Sequence, residues 1–446
     1  MNPAASTPGP EVADALIIGG GPGGSCAGAL LARAGRRVIL LEKETFPRFH
    51  VGESLLPYNC ELFDELGLTD ALARAGFPRK FGAQFHLANG TKSRRFIFRQ
   101  GRFTRRTEAI QVERAPFDHL LLRHARAQGV DVREGWTVRR FDAEADGVRV
   151  EATDPAGATV RLRGRFLIDA SGRANVTGNQ ENLREVHPRH RKYAVYGHFT
   201  GVVRDAGEPG GDTVIVRDAT RWFWLIPVSG EKTSVGLVLD KAELEQAGGD
   251  PAKVFERALA ASTVMRMRMA TARIEGPWRT TADFSYFNRR LHGPRLLRVG
   301  DAAGFMDPIF SAGVYLAMWS GKLAADAVRL SLTRGDDGAG RFAAYGRRLR
   351  KAMHVYWRLV EAYYTQPFIE LFMEPRHGLD LPAAVVAVLA GDLEPSWRIR
   401  WRLAVFYALI RLHARRPLVP GITFDPDAAP AAGAGFAPVI CDDGKA

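Results

Sequence analysis

The sequence predicts an α/β chain of composite type: a parallel-sheet domain is interrupted by an antiparallel sheet and followed by a C-terminal helical region. Three observations support this prediction. A buried strand, a glycine-rich loop and a helix follow one another near the N-terminus. Two further strand-to-turn segments occupy residues 165–173 and 294–317, and residues 397–416 have an amphipathic helical period. Alternation of buried strands with helices favours a parallel sheet.

Composition narrows the class of protein. The chain has 446 residues, of which 46% are hydrophobic and 25% charged, which excludes a disordered, collagen-like or disulfide-rich chain. Its net charge of +13 favours anionic partners such as a diphosphate cofactor. The three cysteines, Cys26, Cys60 and Cys441, lack metal-site spacing, so we expect no metal site and a reducing, cytoplasmic setting. No signal peptide and no transmembrane segment are recognised.

The N-terminal segment carries the strongest local signal. An apolar strand at residues 15–18 leads into the loop Gly-Gly-Gly-Pro-Gly-Gly at 19–24. A helix of small residues at 25–34, a second strand at 37–41 and Glu42 follow. This Rossmann-like order, with an acid about 20 residues after the glycines, predicts dinucleotide binding.

Each residue of this motif has an expected role. Gly19 makes the tight turn, Gly21 lets the backbone approach a diphosphate, and Gly24 lets helix and strand pack closely. Ser25 opens the predicted helix, whose N-terminus favours the diphosphate charge. Glu42 is expected to accept hydrogen bonds from the adenosine ribose hydroxyls.

Two later segments favour FAD over NAD. The strand at residues 296–299 ends at Gly300 and Asp301, where a carboxylate can accept hydrogen bonds from the ribityl chain. With residues 165–173 and the N-terminal motif, this segment resembles the para-hydroxybenzoate-hydroxylase-like FAD fold. We therefore expect a discontinuous FAD-binding domain at 13–75, 107–180 and 280–340, and a substrate-side sheet at 76–106 and 181–279. A helical lid at 341–424 and tails at 1–12 and 425–446 complete the prediction.

Four stretches resemble one family on that fold. They are FPRFHVGESL at 46–55, FPRKFG at 77–82, WFWLIP at 222–227 and FMDPIFSAG at 305–313. Together they are similar to the FADH2-dependent halogenases, in the branch that acts on pyrroles and phenols, often on carrier proteins. The third stretch satisfies the family's WxWxIP pattern and the fourth its FxDPxFSxG pattern.

The resemblance implies catalytic roles for three residues. Lys80 would hold hypohalous acid through its ammonium group or capture the halogen on its amine; otherwise it is a solvated surface lysine. Trp222 and Trp224 would separate the flavin from the substrate; otherwise they are strand core.

The resemblance also implies ligand contacts. Pro308, Ser311 and Gly313 would frame a chloride or bromide at a helix N-terminus, with Gly313 also beside FAD; otherwise the turn serves only the flavin. Arg48 and Arg114 would contact FAD or serve structural roles.

The sequence therefore predicts FADH2- and O2-dependent chlorination or bromination of an electron-rich aromatic, free or carrier-bound, with a separate NAD(P)H flavin reductase. The alternatives are an aromatic hydroxylase or reductase of the same fold, and a non-catalytic flavin-binding redox sensor.

Two basic stretches remain after this assignment. Residues 92–106 contain seven basic residues and no acid, and residues 397–416 form the basic amphipathic helix. Each is expected to be a solvated face or a docking surface for an acidic carrier protein, a membrane surface or an anionic substrate, and no nucleic acid is expected. The aromatic segment 356–376 resembles the family's helical lid over the substrate; otherwise it is ordinary helix packing. Glu361 and Glu370 in this segment are candidate bases.

Overall fold

The structure is a computed structural model that describes residues 12–188, 190–246, 248–282, 285–374 and 378–428. The predicted tail at 1–12 therefore lies outside the described residues except for Val12, and the tail at 425–446 lies outside them from residue 429 onward.

The described strands, in chain order, are β1 Val12–Ile18, β2 Val38–Glu42, β3 Arg79–Lys80, β4 Gly82–Leu87, β5 Ser93–Ile97, β6 Ala109–Ile110, β7 Asp131–Glu134, β8 Thr137–Ala143, β9 Val148–Thr153, β10 Thr159–Asp169, β11 Arg184–Val186, β12 Lys192–Thr200, β13 Thr213–Arg217, β14 Trp222–Pro227, β15 Thr233–Asp240, β16 Arg273–Ala282, β17 Tyr286–Asn288, β18 His292–Gly293, β19 Leu296–Arg298 and β20 Gly304–Phe305. The described helices are α1 Pro22–Arg33, α2 Asn59–Leu66, α3 Thr69–Arg74, α4 Arg114–Ala127, α5 Val176–Gln180, α6 Lys241–Gln246, α7 Pro251–Ala260, α8 Thr263–Arg268, α9 Gly313–Arg334, α10 Ala339–Tyr363, α11 Gln366–Met373, α12 Leu381–Leu389 and α13 Trp397–His413. Short 3-10 turns lie at Phe98–Gln100, Gly172–Ala174, Glu208–Gly211, Gly300–Ala302, Pro308–Phe310 and Gly378–Asp380.

An eight-stranded sheet forms the first layer. Its strands β19, β10, β1, β2 and β7 are parallel neighbours, while β18, β9 and β8 add antiparallel edges. Helix α1 packs against α9 and α4. The buried apolar runs of β1 and β2 explain this arrangement, since strands covered on both faces suit a parallel sheet.

A seven-stranded sheet forms the second layer, in the order β16-β12-β15-β14-β13-β4-β5. Its pairs are antiparallel except for β13 and β4. Along β14, Trp222, Trp224 and Ile226 join the main core, whereas Phe223 and Leu225 join a second core under α7 and α8. The alternation of a strand thus directs both tryptophans to one face.

Helices α10 to α13 form the predicted C-terminal helical region. Buried residues recur at three- and four-residue steps along α10, from Phe342 and Tyr345 to Tyr356 and Val360, which gives one continuous apolar stripe. The α/β composite fold predicted from the sequence is confirmed. No helix in the described parts of the chain is long and apolar enough to cross a membrane.

Two predicted helix boundaries were wrong. The first helix begins at Pro22, three residues before the predicted start. Proline is favourable in the first turn of a helix, because backbone N–H groups there have no partner within the helix and the missing N–H of proline costs no hydrogen bond. The basic C-terminal helix ends at His413, not at residue 416.

Candidate active site

A cavity of about 340 Å³ lies where the parallel strands β1, β10 and β19 end. The glycine loop, the loop after β2, the turn after β10 and the loop at 300–313 line it, together with residues of β13 and β14. Ligands of open α/β sheets bind outside the carboxyl ends of the strands, so the topology positions this cavity for a cofactor.

The glycine loop leaves space for an anion. Gly21 is the N-cap of α1 and no side chain caps this helix, so its first N–H groups face the cavity. A Cβ atom at Gly21 would meet only the Arg48 guanidinium, at 3.7 Å. Gly19 and Gly24 serve packing, because a Cβ at Gly24 would lie 1.9 Å from the Gly19 carbonyl oxygen. The Ser25 hydroxyl donates to the Gly20 carbonyl oxygen at 2.8 Å.

Glu42 holds the loop from the neighbouring strand. One carboxylate oxygen accepts from the backbone N–H of Gly20 at 2.6 Å, and the other from that of Glu44 at 2.8 Å. Glu42 also lines the cavity. The structure therefore gives this residue a loop-bracing role beside the predicted ribose contact.

Arg48 and Arg114 share a buried carboxylate that the sequence analysis missed. Asp118 accepts from Arg48 at 2.9 Å and from Arg114 through two bonds of 2.8 Å. Arg114 also donates to the carbonyl oxygens of Val51 and Gly52, so its guanidinium shapes that loop. Both arginines line the cavity. Burial alone would raise the pKa of Asp118, but the charge and hydrogen bonds of Arg114 and the charge of Arg48 hold it below its usual value.

Asp301 follows β19 and lines the same cavity. Burial raises the pKa of its carboxyl to about 6, against the opposing charges of Arg173 and Arg114. Its side chain accepts no hydrogen bond from the described residues, which suits a carboxylate that accepts from ligand hydroxyls.

The loop at 307–313 enters the long helix α9. Asp307 accepts from the backbone N–H of Ile309 at 3.0 Å and from the Tyr364 hydroxyl at 2.6 Å, and burial raises its pKa to about 6. Ser311 has a φ of +57°, and α9 begins at Gly313 without a side-chain cap. Pro308, Ser311 and Gly313 all line the cavity, so the uncapped N–H groups of α9 point an anion-binding dipole toward it.

Lys80 is buried at 2% exposure, contrary to the alternative of a solvated surface lysine. Its Nζ donates to the Ser54 hydroxyl at 2.8 Å and to the Leu55 carbonyl oxygen at 3.1 Å, and lies 5.5 Å from the Phe98 ring centroid. Burial lowers the pKa of Lys80 to about 7, although the charge of Asp212 raises it. The amine and ammonium forms are therefore both populated near neutral pH.

Lys80 lines a second, small cavity of about 20 Å³ that borders the first. The residues common to both cavities are Thr213, Ile215, Ile309, Phe310 and Ser311. Sequence analysis missed this wall, because strand β13 and the loop at 307–313 form it only in three dimensions. The Ser54 hydroxyl, which holds Lys80, also contacts the Thr213 hydroxyl at 2.7 Å.

Trp222 and Trp224 line the large cavity on the strand beside β13, and both are buried. The Trp222 indole donates to the Tyr364 hydroxyl at 2.9 Å, and that of Trp224 to Ser234 at 3.1 Å. Neither tryptophan belongs to the shared wall, so their predicted separating role stays a prediction.

The basic stretch at 92–106 is tied to carboxylates of other elements. The partners of Lys92, Arg95, Arg99, Arg102, Arg105 and Arg106 are Glu374, Asp212, Glu208, Asp380, Glu61 and Asp64. Glu370 bonds His413 at 2.7 Å and is braced by Gln366 and Ile422, so it serves the C-terminal helices.

The residues present fit FAD. The uncapped loop at Gly21 faces Arg48, which suits a diphosphate. The Asp301 carboxylate, which lines the same cavity, suits the ribityl hydroxyls. The described residues contain no group of three or more side chains that could hold a metal ion.

Comparison with known proteins identifies the family. A family model described as FAD binding domain matches residues 12–355. A 1H-pyrrole-2-carbonyl peptidyl-carrier-protein chlorinase of Pseudomonas fluorescens is 28% identical over 410 residues, covering 86% of this chain and 90% of that protein. The corresponding brominase of Pseudoalteromonas luteoviolacea is 31% identical over 384 residues, covering 85% and 91%.

A solved structure of a flavin-dependent brominase is 28% identical, with a TM-score of 0.81, and the match covers 91% of this chain and 100% of that one. These findings confirm FAD as the cofactor and confirm the family predicted from the four motifs. The chain belongs to the FAD-binding domain family and, within it, to the flavin-dependent halogenases.

Proposed function

We propose that this halogenase chlorinates or brominates an electron-rich ring, such as a phenol or pyrrole, by passing the halogen through Lys80. The observation that carries the proposal is a buried lysine amine beside, but outside, the cofactor cavity. Reduced FAD with oxygen supplies the oxidising equivalents that convert halide to hypohalous acid.

Halide binding falls to the start of α9. The backbone N–H groups that follow Ser311 have no capping side chain, and an uncapped helix N-terminus attracts anions. The one nearby carboxylate of this loop, Asp307, is engaged by Ile309 and Tyr364. Burial raises the pKa of Asp307 to about 6, so its repulsion of the halide falls as the pH drops below that value.

The amine of Lys80 is the halogen carrier. Two hydrogen bonds, to Ser54 and Leu55, occupy both protons of the neutral amine and leave its lone pair available. The amine nitrogen attacks the halogen of hypohalous acid and displaces hydroxide. An N–halogen bond forms, the halogen–oxygen bond breaks, and the hydroxide takes one amine proton and leaves as water. The ring then takes the halogen as electrophile and returns its proton, which restores the amine.

The wall at Thr213, Ile215 and Ser311 supports the proposal that oxidant forms in the large cavity and that halogen transfer takes place at Lys80. The two cavities share this wall, and the Lys80 cavity, at about 20 Å³, has no room for an aromatic ring. Trp222 and Trp224, on the neighbouring strand β14, line the large cavity and belong to the main core. A free oxidant would react with exposed side chains, so enclosure directs it to Lys80.

An acidic carrier protein is the proposed presenter of the substrate. The relatives that resemble this chain include enzymes named for pyrrole groups on peptidyl-carrier proteins. Helix α13 exposes Arg398, Arg400 and Arg411 without a described ion-pair partner, beside Trp397, which is 66% exposed. An exposed cationic face with an aromatic anchor suits an acidic protein partner.

We also propose that a separate NAD(P)H flavin reductase supplies the reduced cofactor. The glycine motif at 19–24 serves FAD, and the sequence shows no second motif of this kind.

The test combines the enzyme, FAD, a flavin reductase and either chloride or bromide with phenols, indoles and pyrroles, free or attached to a carrier protein. The expected product carries the halogen isotope pattern and forms only when halide is present. A product that gains one oxygen whether or not halide is present would instead support an aromatic hydroxylase. Oxidation of reduced FAD without any modification of the aromatic substrates would support the redox-sensor alternative.

The carrier is tested separately by Arg411→Glu, with Arg74→Glu as the matched control on the exposed part of α3. The first variant should weaken carrier-bound turnover while free-ring turnover is kept. Equal effects of the two variants would contradict docking at α13.

A further inference from the structure

We propose that the aromatic ring of the substrate binds in an apolar cavity under the C-terminal helices and reaches Lys80 past the ring pair Phe96–Phe372. This inference rests on the proposed halogenation at Lys80 and adds where the ring is held.

Volume is the first reason. The Lys80 cavity, at about 20 Å³, has room for one water molecule but not for a ring. A third cavity, which we call the C-terminal cavity, has a volume of about 240 Å³ and lies between β5, α11, α12 and α13. An apolar cavity of about 150 Å³ already binds benzene, so this one is large enough for a substituted phenol or pyrrole.

Continuity is the second reason. Phe96 lines both the Lys80 cavity and the C-terminal cavity. Its ring stacks on Phe372 with a centroid distance of 4.5 Å, and Phe85 packs edge-on against Phe372 at 4.8 Å. On α12, Val386 lines the Lys80 cavity and its neighbour Val385 lines the C-terminal cavity. One layer of side chains thus separates the two spaces.

The chemistry of the lining is the third reason. Aliphatic and aromatic side chains dominate the lining, and Glu374 is the ionisable side chain among the lining residues that the structure describes. A phenol hydroxyl or pyrrole N–H can donate to this carboxylate while the ring contacts Phe372 and Phe406. Glu374 is itself held by Lys92 of the strand β5 hairpin, which fixes its place at the cavity wall.

Ring entry therefore requires the Phe96 and Phe372 side chains to rotate. Their rotation opens the Lys80 cavity to the bound ring, and their return to the stacked arrangement closes it. We call this ring pair the plug, because in the structure it lies between the Lys80 cavity and the C-terminal cavity.

The test measures binding directly, without turnover. Leu409→Trp on α13 fills the C-terminal cavity, and Leu412→Trp, three residues further along the same helix and 47% exposed, is the matched control. Calorimetric titration of the FAD-loaded enzymes with p-cresol should show at least about tenfold weaker binding to Leu409→Trp and unchanged binding to Leu412→Trp. Flavin absorbance and circular dichroism verify the fold of each variant.

Val385→Phe blocks the cavity from the opposite wall and should act like Leu409→Trp. Parent-like p-cresol affinity in both blocked variants would overturn the proposal, as would the absence of p-cresol binding to the parent enzyme at millimolar concentration. Retained p-cresol binding, blocked by both variants, together with no halogenated ring from the parent would contradict the proposed function and leave this cavity assignment standing.

A second measurement tests the plug. Phe372→Ala should raise kcat/KM for 2-naphthol relative to p-cresol by at least about fivefold, because the opening becomes wider. An unchanged ratio would contradict a passage at this ring pair.

Discussion

Halogen transfer is expected to accelerate as pH rises through about 7, because burial lowers the pKa of Lys80 to that value. Only the neutral amine has the lone pair that captures halogen from hypohalous acid. The rate of transfer should therefore rise about tenfold per pH unit below the midpoint and become constant above it.

The structure gives the size of the effect. With a pKa of about 7, half of the Lys80 side chains are neutral at pH 7. A solvated lysine with a pKa near 10.4 would be neutral in only roughly 4 molecules in 10⁴ at that pH. Enclosure of the amine therefore raises its availability by roughly 10³-fold.

The assay is a single turnover with chemically reduced FAD, saturating bromide and excess p-cresol, quenched at intervals and analysed by mass. Flavin oxidation is followed in the same mixtures, and the ratio of bromination to flavin oxidation removes the effect of pH on oxidant formation. A ratio that falls as pH rises through 7 would refute capture by the amine and assign the role to the ammonium form. A ratio independent of pH would refute any titrating role of Lys80.

Three further predictions follow from the same contacts. Asp212→Asn should move the midpoint of the pH profile to lower pH, because the Asp212 charge raises the pKa of Lys80; an upward shift in rapid-quench profiles would contradict the contact. In the parent enzyme, burial of the Lys80 ammonium lowers the free energy of unfolding, and Lys80→Met removes this destabilisation. Because the pKa of Lys80 is lower in the folded state than in the unfolded state, the destabilisation is complete below pH 7 and disappears between about pH 7 and 10.5. The free energy of unfolding in urea should therefore rise with pH more in the parent than in the variant, by several kcal/mol across that range, at about 1.36 kcal/mol per pKa unit. Parallel plots of unfolding free energy against pH for the two proteins would contradict a buried lysine. Trp222→Ala and Trp224→Ala should lower the yield of halogenated product per flavin oxidised without changing FAD affinity in fluorescence titrations; unchanged yields in both would remove their separating role.

Local patterns predicted the parts of the site that are close in sequence. The strand, glycine loop and acid at 15–42 were recognisable because hydrophobic period and glycine placement are local properties. Predicted cavity residues as distant as Asp301 and Gly313 also line one space, since parallel strands bring their carboxyl ends together.

The supporting residues could not be found in this way. Thr213 bonds the Ser54 hydroxyl that accepts from Lys80, and the charge of Asp212 raises the pKa of Lys80. The sequence of the strand that contains Thr213 does not indicate any contact with residue 80. Asp118 is an exception: it stands four residues after Arg114 on one helix, a spacing that favours an ion pair and offered a local signal.

The separate plug at Phe96 and Phe372 has the same origin. The two rings come from a strand and a helix that are more than half the chain length apart, and their stacking depends on how α11 packs on the antiparallel sheet. The position of segment 356–376 and its resemblance to the family's lid predicted that it covers the substrate, but they did not predict its contact with the Lys80 cavity.

Replacement of Lys80 by methionine, which keeps the bulk of the side chain and removes its nitrogen, tests halogen transfer most directly. The measurement compares halogenated p-cresol, by mass, with FADH2 oxidised in the same reaction. We predict oxidation within about twofold of the parent enzyme and product lower by at least about a hundredfold. Parent-like product from the methionine variant would show that the ring receives its halogen without this amine.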